Sequence, residues 1–362
     1  MSSRYVVIMA GGRGERFWPL SRLACPKHLL PVVGDQAMLV QTIERLGSDY
    51  PAGRILVITN VEQRDAVLRI CPQLPEENVI AEPVGRDTAA AVALATVLVR
   101  RRDPDASFAM LPADHVIYDK PAFQKVLQAA FAAAEAETAL VTVGIRPAYP
   151  ATGYGYIQRG DSVAEREGQS VYDVHQFREK PDAATAEEYL QSGDFYWNAG
   201  MFFWTVTSIQ KAFEELTPEL WQSMEQMVSE WLPGNPIDAL LERYYPGMEK
   251  ISVDYAIMEK APVVRVLEAD FDWDDVGEWP AVARHYPKDA NGNVVRGNAV
   301  ALDSHKNIVR SEPGHVITLV GVDNLMVIQT ADATLVCPRD KAQDIKALVK
   351  KLGDDPRYQH LV

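Results

Sequence analysis

The chain has little cysteine, a shortage of positive charge and no long hydrophobic run. Cys25, Cys71 and Cys337 are the only cysteines in 362 residues. Scattered, odd in number and without metal-site spacing, they exclude a disulfide framework and point to a reducing compartment, by default the cytoplasm. With 36 Lys and Arg against 50 Asp and Glu, the formal net charge is −14. Such a surface repels polyanions, which excludes general nucleic-acid binding but not phosphate ligands held by a few local cations. The longest apolar stretch, Ala89 to Val99, is too short to span a bilayer, and the N-terminus lacks a basic-then-apolar signal pattern, so no membrane partner is expected. That stretch runs into Arg100-Arg101-Arg102 and reads as a buried helix with a basic C-terminal end. The histidines show no ligand spacing, and no Ser/His/Asp or Cys/His arrangement offers a covalent nucleophile.

Hydrophobic residues make up 47% of the chain and charged residues 24%, as in ordinary globular proteins. Tyr5-Val6-Val7-Ile8-Met9, Arg54 to Thr59, Val79-Ile80, Phe108 to Leu111 and Ala139 to Val143 read as buried strands, and helical patterns at Met38 to Leu46, Val61 to Arg69 and Phe123 to Glu137 alternate with them. The alternation predicts an α/β fold with a doubly wound, mostly parallel sheet. The middle of the chain is richer in aromatics and turns. After Pro287 short Val/Ile strands are broken by Gly, Asn and Asp, and a helix over Lys341 to Leu352 closes the chain. The expected domains are 1–287 and a small β domain, 288–362.

The first strand opens into Ala10-Gly11-Gly12-Arg13-Gly14-Glu15-Arg16, at the carboxyl edge where α/β sheets bind ligands. Gly11, Gly12 and Gly14 let backbone N–H groups approach phosphate oxygens, and Arg13 and Arg16 add charged donors. The same glycines would equally serve a plain tight turn. The loop is no P-loop, because no Gly-Lys-Ser/Thr follows, and Pro19 breaks the helix that a dinucleotide fingerprint needs. Lys27, after Pro26, is placed to fold back on the same phosphates. Asp114 follows a strand, and Asp272, Asp274 and Asp275 form an acidic cluster. Carboxylates of this kind hold Mg²⁺ against phosphate oxygens.

Gly-Gly-x-Gly-x-Arg-x-x-Pro-Leu-Ser followed by Pro-Lys-x-Leu-Leu-Pro resembles the opening of the sugar-nucleotide pyrophosphorylases, and Phe17 to Arg22 is similar to their mannose-1-phosphate guanylyltransferase branch. The resemblance continues in order along essentially the whole chain. Glu82-Pro83-Val84-Gly85-Arg86-Asp87-Thr88-Ala89 resembles the base-binding segment, and Pro112-Ala113-Asp114-His115 a metal segment. Thr152 to Tyr156, Phe177 to Pro181 and Trp197 to Gly200 resemble sugar segments, and Trp273 to Trp279 a second metal segment. The branch commonly carries Asn where Asp87 stands and Pro where Ala90 stands.

The resemblance implies transfer of GMP from GTP to α-D-mannose 1-phosphate, giving GDP-mannose and pyrophosphate. It assigns Arg16 and Lys27, with Arg13 assisting, to the triphosphate, and Ala10, Gly11, Gly12, Gly14, Glu82, Gly85, Asp87 and Thr88 to the nucleotide. Gly153, Glu179, Lys180, Asn198 and Gly200 fall to the sugar phosphate. Asp114, also catalytic, and Asp275 fall to Mg²⁺, with Asp274 as the alternative. It implies a C-terminal domain like a short left-handed β-helix, with Gly297, Val300, Ile308, Val316 and Val327 suited to it. A chain ending at Val362 is expected to lack the isomerase domain that some relatives carry, and a homodimer is held open. The rival readings are another sugar phosphate or base, a non-catalytic regulatory subunit of the same fold, and a nicotinamide-dependent oxidoreductase.

Overall fold

The computed structural model describes residues 3–178, 180–232, 234, 236–269 and 271–362. The strands and helices of the large domain are β1 (Arg4–Ala10), α1 (Met38–Leu46), β2 (Ile55–Asn60), α2 (Arg64–Ile70), β3 (Val79–Glu82), α3 (Asp87–Arg102), β4 (Ser107–Pro112), α4 (Lys120–Ala136), β5 (Leu140–Ile145), β6 (Tyr156–Arg166), β7 (Gln169–Arg178), α5 (Ala183–Ser192), β8 (Phe195–Thr205), α6 (Val206–Leu216), α7 (Pro218–Ser229), α8 (Asp238–Tyr244), β9 (Val264–Glu268) and α9 (Trp279–Val282). Nine strands form one sheet in the order β3-β2-β1-β4-β8-β5-β9-β7-β6. Strand β1 shows why its apolar run is continuous. Val6 and Ile8 pack into one core layer and Tyr5 and Val7 into the other, so both faces are covered.

The α/β class is as the alternation predicts, but the sheet is mixed. Parallel pairing holds across β3-β2-β1-β4 and between β5 and β9. Strand β8 runs antiparallel to β4, β5 and β6, and β7 antiparallel to both β6 and β9. The aromatic middle section therefore lies inside and along the sheet rather than beyond a parallel core. Helix α3 is buried from Ala89 to Val99. Its basic end is paired, Arg100 with Glu225 and Arg102 with Asn78. No helix among the described residues is long and apolar enough to cross a membrane.

Beyond Pro287 the chain coils. Strands β10 (Val294–Arg296), β11 (Asn298–Leu302), β12 (Ile308–Arg310), β13 (Val316–Val320), β14 (Leu325–Gln329) and β15 (Thr334–Pro338) precede helix α10 (Ile345–Gly353). Val294 pairs in parallel with Ile308 and Ile308 with Met326, while Asn298 pairs with Val316. Each circuit thus lays a strand on the one before, which is β-helix construction. Ile308 and Val327 face inward, whereas Val300 and Val316 are 62% and 56% exposed. Gly297 is a true corner glycine: φ is +101°, and a Cβ there would lie 2.6 Å from the Ser311 carbonyl oxygen. The small domain shares one apolar cluster with the large one, in which Ile308, Met326 and Ile345 meet Phe17, Trp18, Val276 and Trp279.

Candidate active site

A cleft of about 970 Å³ opens at the carboxyl ends of β1, β2, β3 and β4. It brings together Gly11, Arg13, Gly14, Arg16, Lys27, Glu82, Gly85, Asp87, Asp114 and Asp275, ten of the residues expected from the sequence. Gly14 explains why Lys27 belongs to the loop. Its φ is +61°, and a Cβ would lie 2.7 Å from the Lys27 backbone nitrogen, so only glycine lets the two segments touch. The Ser21 hydroxyl donates to the Gly14 carbonyl at 2.7 Å. Helical structure after the loop is one short turn, Glu15–Phe17, ending before Pro19. Ala10 closes β1, its carbonyl accepting from Thr59 Oγ1 at 3.0 Å, and Gly12 is exposed in the loop. Arg16 is exposed, without an ion-pair partner among the described residues.

Asp114 and Asp275, 161 residues apart, are joined by a backbone bridge. Val116 N–H donates to Asp274 O at 2.9 Å and Asp274 N–H to Val116 O at 3.1 Å. The buried Lys27 ammonium spans them, donating to Asp114 Oδ2 at 2.8 Å and to the Asp275 carbonyl at 2.6 Å. Burial works against ionised Asp114, yet Lys27 and the neighbouring histidines hold its carboxyl down to about 2. Burial, with the nearby charges of Asp274 and Asp114, pushes Asp275 above the ordinary carboxylate range, against the pull of Tyr154 and Lys27. Tyr154 donates to Asp275 Oδ1 at 2.7 Å.

The structure separates Asp275 from its neighbour. Asp274 accepts from Arg284 at 2.7 and 2.8 Å and sits 3.1 Å from His285 Nε2, so it is consumed by the fold. Asp272 accepts from the Tyr118 and Asp119 backbone amides. Only Asp275 of the three lines the cleft. No cluster of three or more His, Cys, Asp or Glu able to hold a metal occurs among the described residues. Two carboxylates that repel each other beside a phosphate-sized loop nevertheless fit a hard divalent cation that completes its shell with phosphate oxygens and water.

At the other end, Glu82 closes β3. It is buried, accepts from the Tyr245 hydroxyl, and is pushed up to about 7, chiefly by burial and against the Tyr245 hydrogen bond. Asp87 begins α3 with φ +64°, and its carboxylate accepts from Thr88 N–H at 2.8 Å rather than capping deeper. Thr88 Oγ1 accepts from Val253 N–H at 2.8 Å. Sequence reasoning missed Asn60, Lys250 and Lys346, which also line the cleft. Asn60 ends a strand at the same edge as Gly11 and Glu82, and that rule alone could have found it. Nothing local marks the two lysines, one of which comes from α10.

Gly153, Lys180, Asn198 and Gly200 lie outside that lining. Glu179 falls outside the described residues. Gly200 has φ +63° in a bulge of β8 that shifts its register against β5. The bulge turns Gly200 N–H onto Asn198 Oδ1 at 3.0 Å, and Asn198 Nδ2 donates to Asp254 at 2.7 Å. Lys180 is exposed with φ +40°. Aromatic rings pack above this region: Tyr154 meets Trp197 and Trp273 edge-on at 5.0 and 5.5 Å.

The nucleotidyl transferase family model matches residues 5–292. A model described as the MannoseP isomerase/GMP-like beta-helix domain matches residues 297–352. Mannose-1-phosphate guanylyltransferase of Escherichia coli strain K12 is 39% identical over 365 residues, covering 100% of this chain and 76% of that protein. Mannose-1-phosphate guanylyltransferase ManC of Salmonella typhimurium is 39% identical over 363 residues, covering 98% and 74%. The crystal structure described as mannose-1-phosphate geranyltransferase from Thermus thermophilus is 36% identical with a TM-score of 0.86, covering 96% of this chain and 99% of that one.

Proposed function

The chain belongs to the mannose-1-phosphate guanylyltransferase branch of the nucleotidyl transferases, and from that premise we propose that it transfers GMP from GTP to α-D-mannose 1-phosphate. A phosphate oxygen of the sugar phosphate attacks the α-phosphorus of GTP. The new P–O bond forms as the bond to the β-phosphate oxygen breaks in line, and pyrophosphate leaves. No protein nucleophile enters, so the work is positioning and charge neutralisation. The observation that carries the reading is the meeting of Lys27, Asp114 and Asp275 beside the glycine loop.

Arg16 and Lys27, with Arg13, neutralise the triphosphate, and the backbone of Gly11 to Gly14 cradles it. Glu82, Gly85, Asp87 and Thr88 take the base end. Lys180, Asn198 and Gly200, with Gly153, take the sugar phosphate. Enzymes of the family generally work with a divalent metal; here Asp114 and Asp275 would hold Mg²⁺, which when bound offsets the charge on the α-phosphate and the leaving pyrophosphate. Arg13, Gly12 and Arg16 being exposed, the loop is open to receive its ligand. The test is pyrophosphate release by the purified chain over a grid of nucleoside triphosphates and sugar 1-phosphates with Mg²⁺. GTP with mannose 1-phosphate is expected to dominate. Strong preference for another pair moves the substrate within the family, and no turnover with any pair leaves the regulatory-subunit reading.

A further inference from the structure

Tyr245 lies 163 residues from Glu82, is fully buried, and reaches it with the single hydrogen of its hydroxyl. The Glu82 carboxylate has its Oε1 taken in this way. Its Oε2 faces the glycine loop, 3.2 Å from where a Cβ on Gly11 would sit. Asn60 Oδ1 lies 3.3 Å from the same point, is buried, and has no hydrogen-bond partner among the described residues. The orientation of that amide is set by its nitrogen, which donates to Gly11 O at 3.1 Å. Two acceptor oxygens therefore close on the same point beside Gly11 at the end of the cleft. A buried acceptor without a partner is costly, and the complementary ligand edge carries adjacent donors. Guanine presents N1–H and the 2-amino group together, whereas adenine places an acceptor at N1.

We propose that Tyr245 is a specificity-determining positioning residue: by donating to Glu82 Oε1 it keeps that carboxylate an acceptor toward the base, and so favours guanine over adenine. The proposal rests on the reading that Glu82 meets the base. A protonated Glu82 would offer an O–H in place of an acceptor and would suit the adenine edge. Burial drives the carboxyl toward that form, as does the charge of Asp87, while the Tyr245 hydroxyl opposes it. The other charged groups at this end are Arg86, Glu62 and Lys250. Arg86 is tied to the Pro246 carbonyl, and so braces the same segment as Tyr245.

The test compares Tyr245→Phe, Glu82→Gln and Tyr244→Phe by pyrophosphate release with GTP and with ATP across neutral pH. Tyr244 bonds Glu230 on the surface, so its variant should match the wild type. Tyr245→Phe is expected to raise KM for GTP roughly ten- to hundredfold with little change in kcat, to narrow the GTP-to-ATP ratio of kcat/KM, and to move the acidic limb for GTP to higher pH. A role in packing alone would move no pH limb. Tyr245→Phe matching the wild type while Glu82→Gln loses GTP overturns the proposal; a silent Glu82→Gln overturns the base reading beneath it. Site-specific fluorotyrosine at position 245 keeps the side chain's shape and hydrogen bond but strengthens the donor. It should move the limb to lower pH, and an unmoved limb counts against the proposal.

Discussion

In the parallel half of the sheet, the residues of the cleft sit where their strands end: Gly11 after β1, Asn60 and Glu82 at the tips of β2 and β3, Asp114 two residues past β4. In the mixed half, Asp275 of the cleft and the polar residues beside it depend on partners far along the chain. Asn198 leans on Asp254, 56 residues on, and Asp275 on Tyr154, 121 residues back. The difference follows from topology. Parallel strands all present their carboxyl ends at one edge, so a motif after each strand converges with the others. Antiparallel insertion of β8 gives no such edge, and the bulge at Gly200 with its side-chain braces must aim the polar groups instead.

The largest effect expected from breaking this arrangement separates two adjacent carboxylates. Asp275→Ala should lower kcat by ~10²–10³, whereas Asp274→Ala, which frees Arg284 and His285, should show first as lost stability in thermal unfolding. Equal kcat losses with unchanged unfolding would contradict the assignment of Asp275 to the cleft. Gly14→Ala comes next. A left-handed φ costs a non-glycine residue about 1–3 kcal/mol, and the Cβ also presses on Lys27; denaturant unfolding should fall by at least that range, with activity lost as Lys27 is displaced. A neutral Gly14→Ala would mean that the loop tolerates the shift and that its contact with Lys27 is incidental. On the mixed side, Asn198→Ala should raise KM for the sugar phosphate about tenfold, the worth of one good hydrogen bond, and leave KM for GTP alone. A rise in both would tie Asn198 to the nucleotide.

The smallest effect is a pH limb. Asp114 is held down to about 2 and stays ionised through the working range. Glu82 is pushed up to about 7, so its acceptor form is lost as pH falls through neutrality. kcat/KM for GTP should therefore decline below about pH 7 while kcat at saturating GTP declines less. A limb confined to kcat would place the titrating group in the chemistry rather than at the base.

The glycine loop, Lys27, Asp114 and the acidic cluster were legible because each is a residue type with a fixed relation to a strand end. The α/β class was legible from continuous apolar runs. The mixed sheet was not, since the aromatic strands β6 to β8 alternate too weakly to reveal direction, and pairing is decided by contacts between segments. The choice of Asp275 over Asp274 was available from resemblance, but its physical reason, Arg284 and His285 claiming Asp274, needed the folded chain. Tyr245 carried no signal at all. A tyrosine in the Tyr244-Tyr245-Pro246 run looks like packing until its hydroxyl is seen on Glu82.

The proposed function divides one cleft into a base end that binds and a carboxylate end that supports chemistry. The most direct test crosses Glu82→Gln with Asp114→Ala and measures the Kd for GTP and single-turnover pyrophosphate release for each. Glu82→Gln should weaken GTP binding by roughly ten- to hundredfold and leave the rate at saturation within a few fold. Asp114→Ala should lower the rate by ~10²–10³ and change Kd far less. Parallel losses of binding and rate in both variants, or an Asp114→Ala protein that turns over normally, would contradict that division.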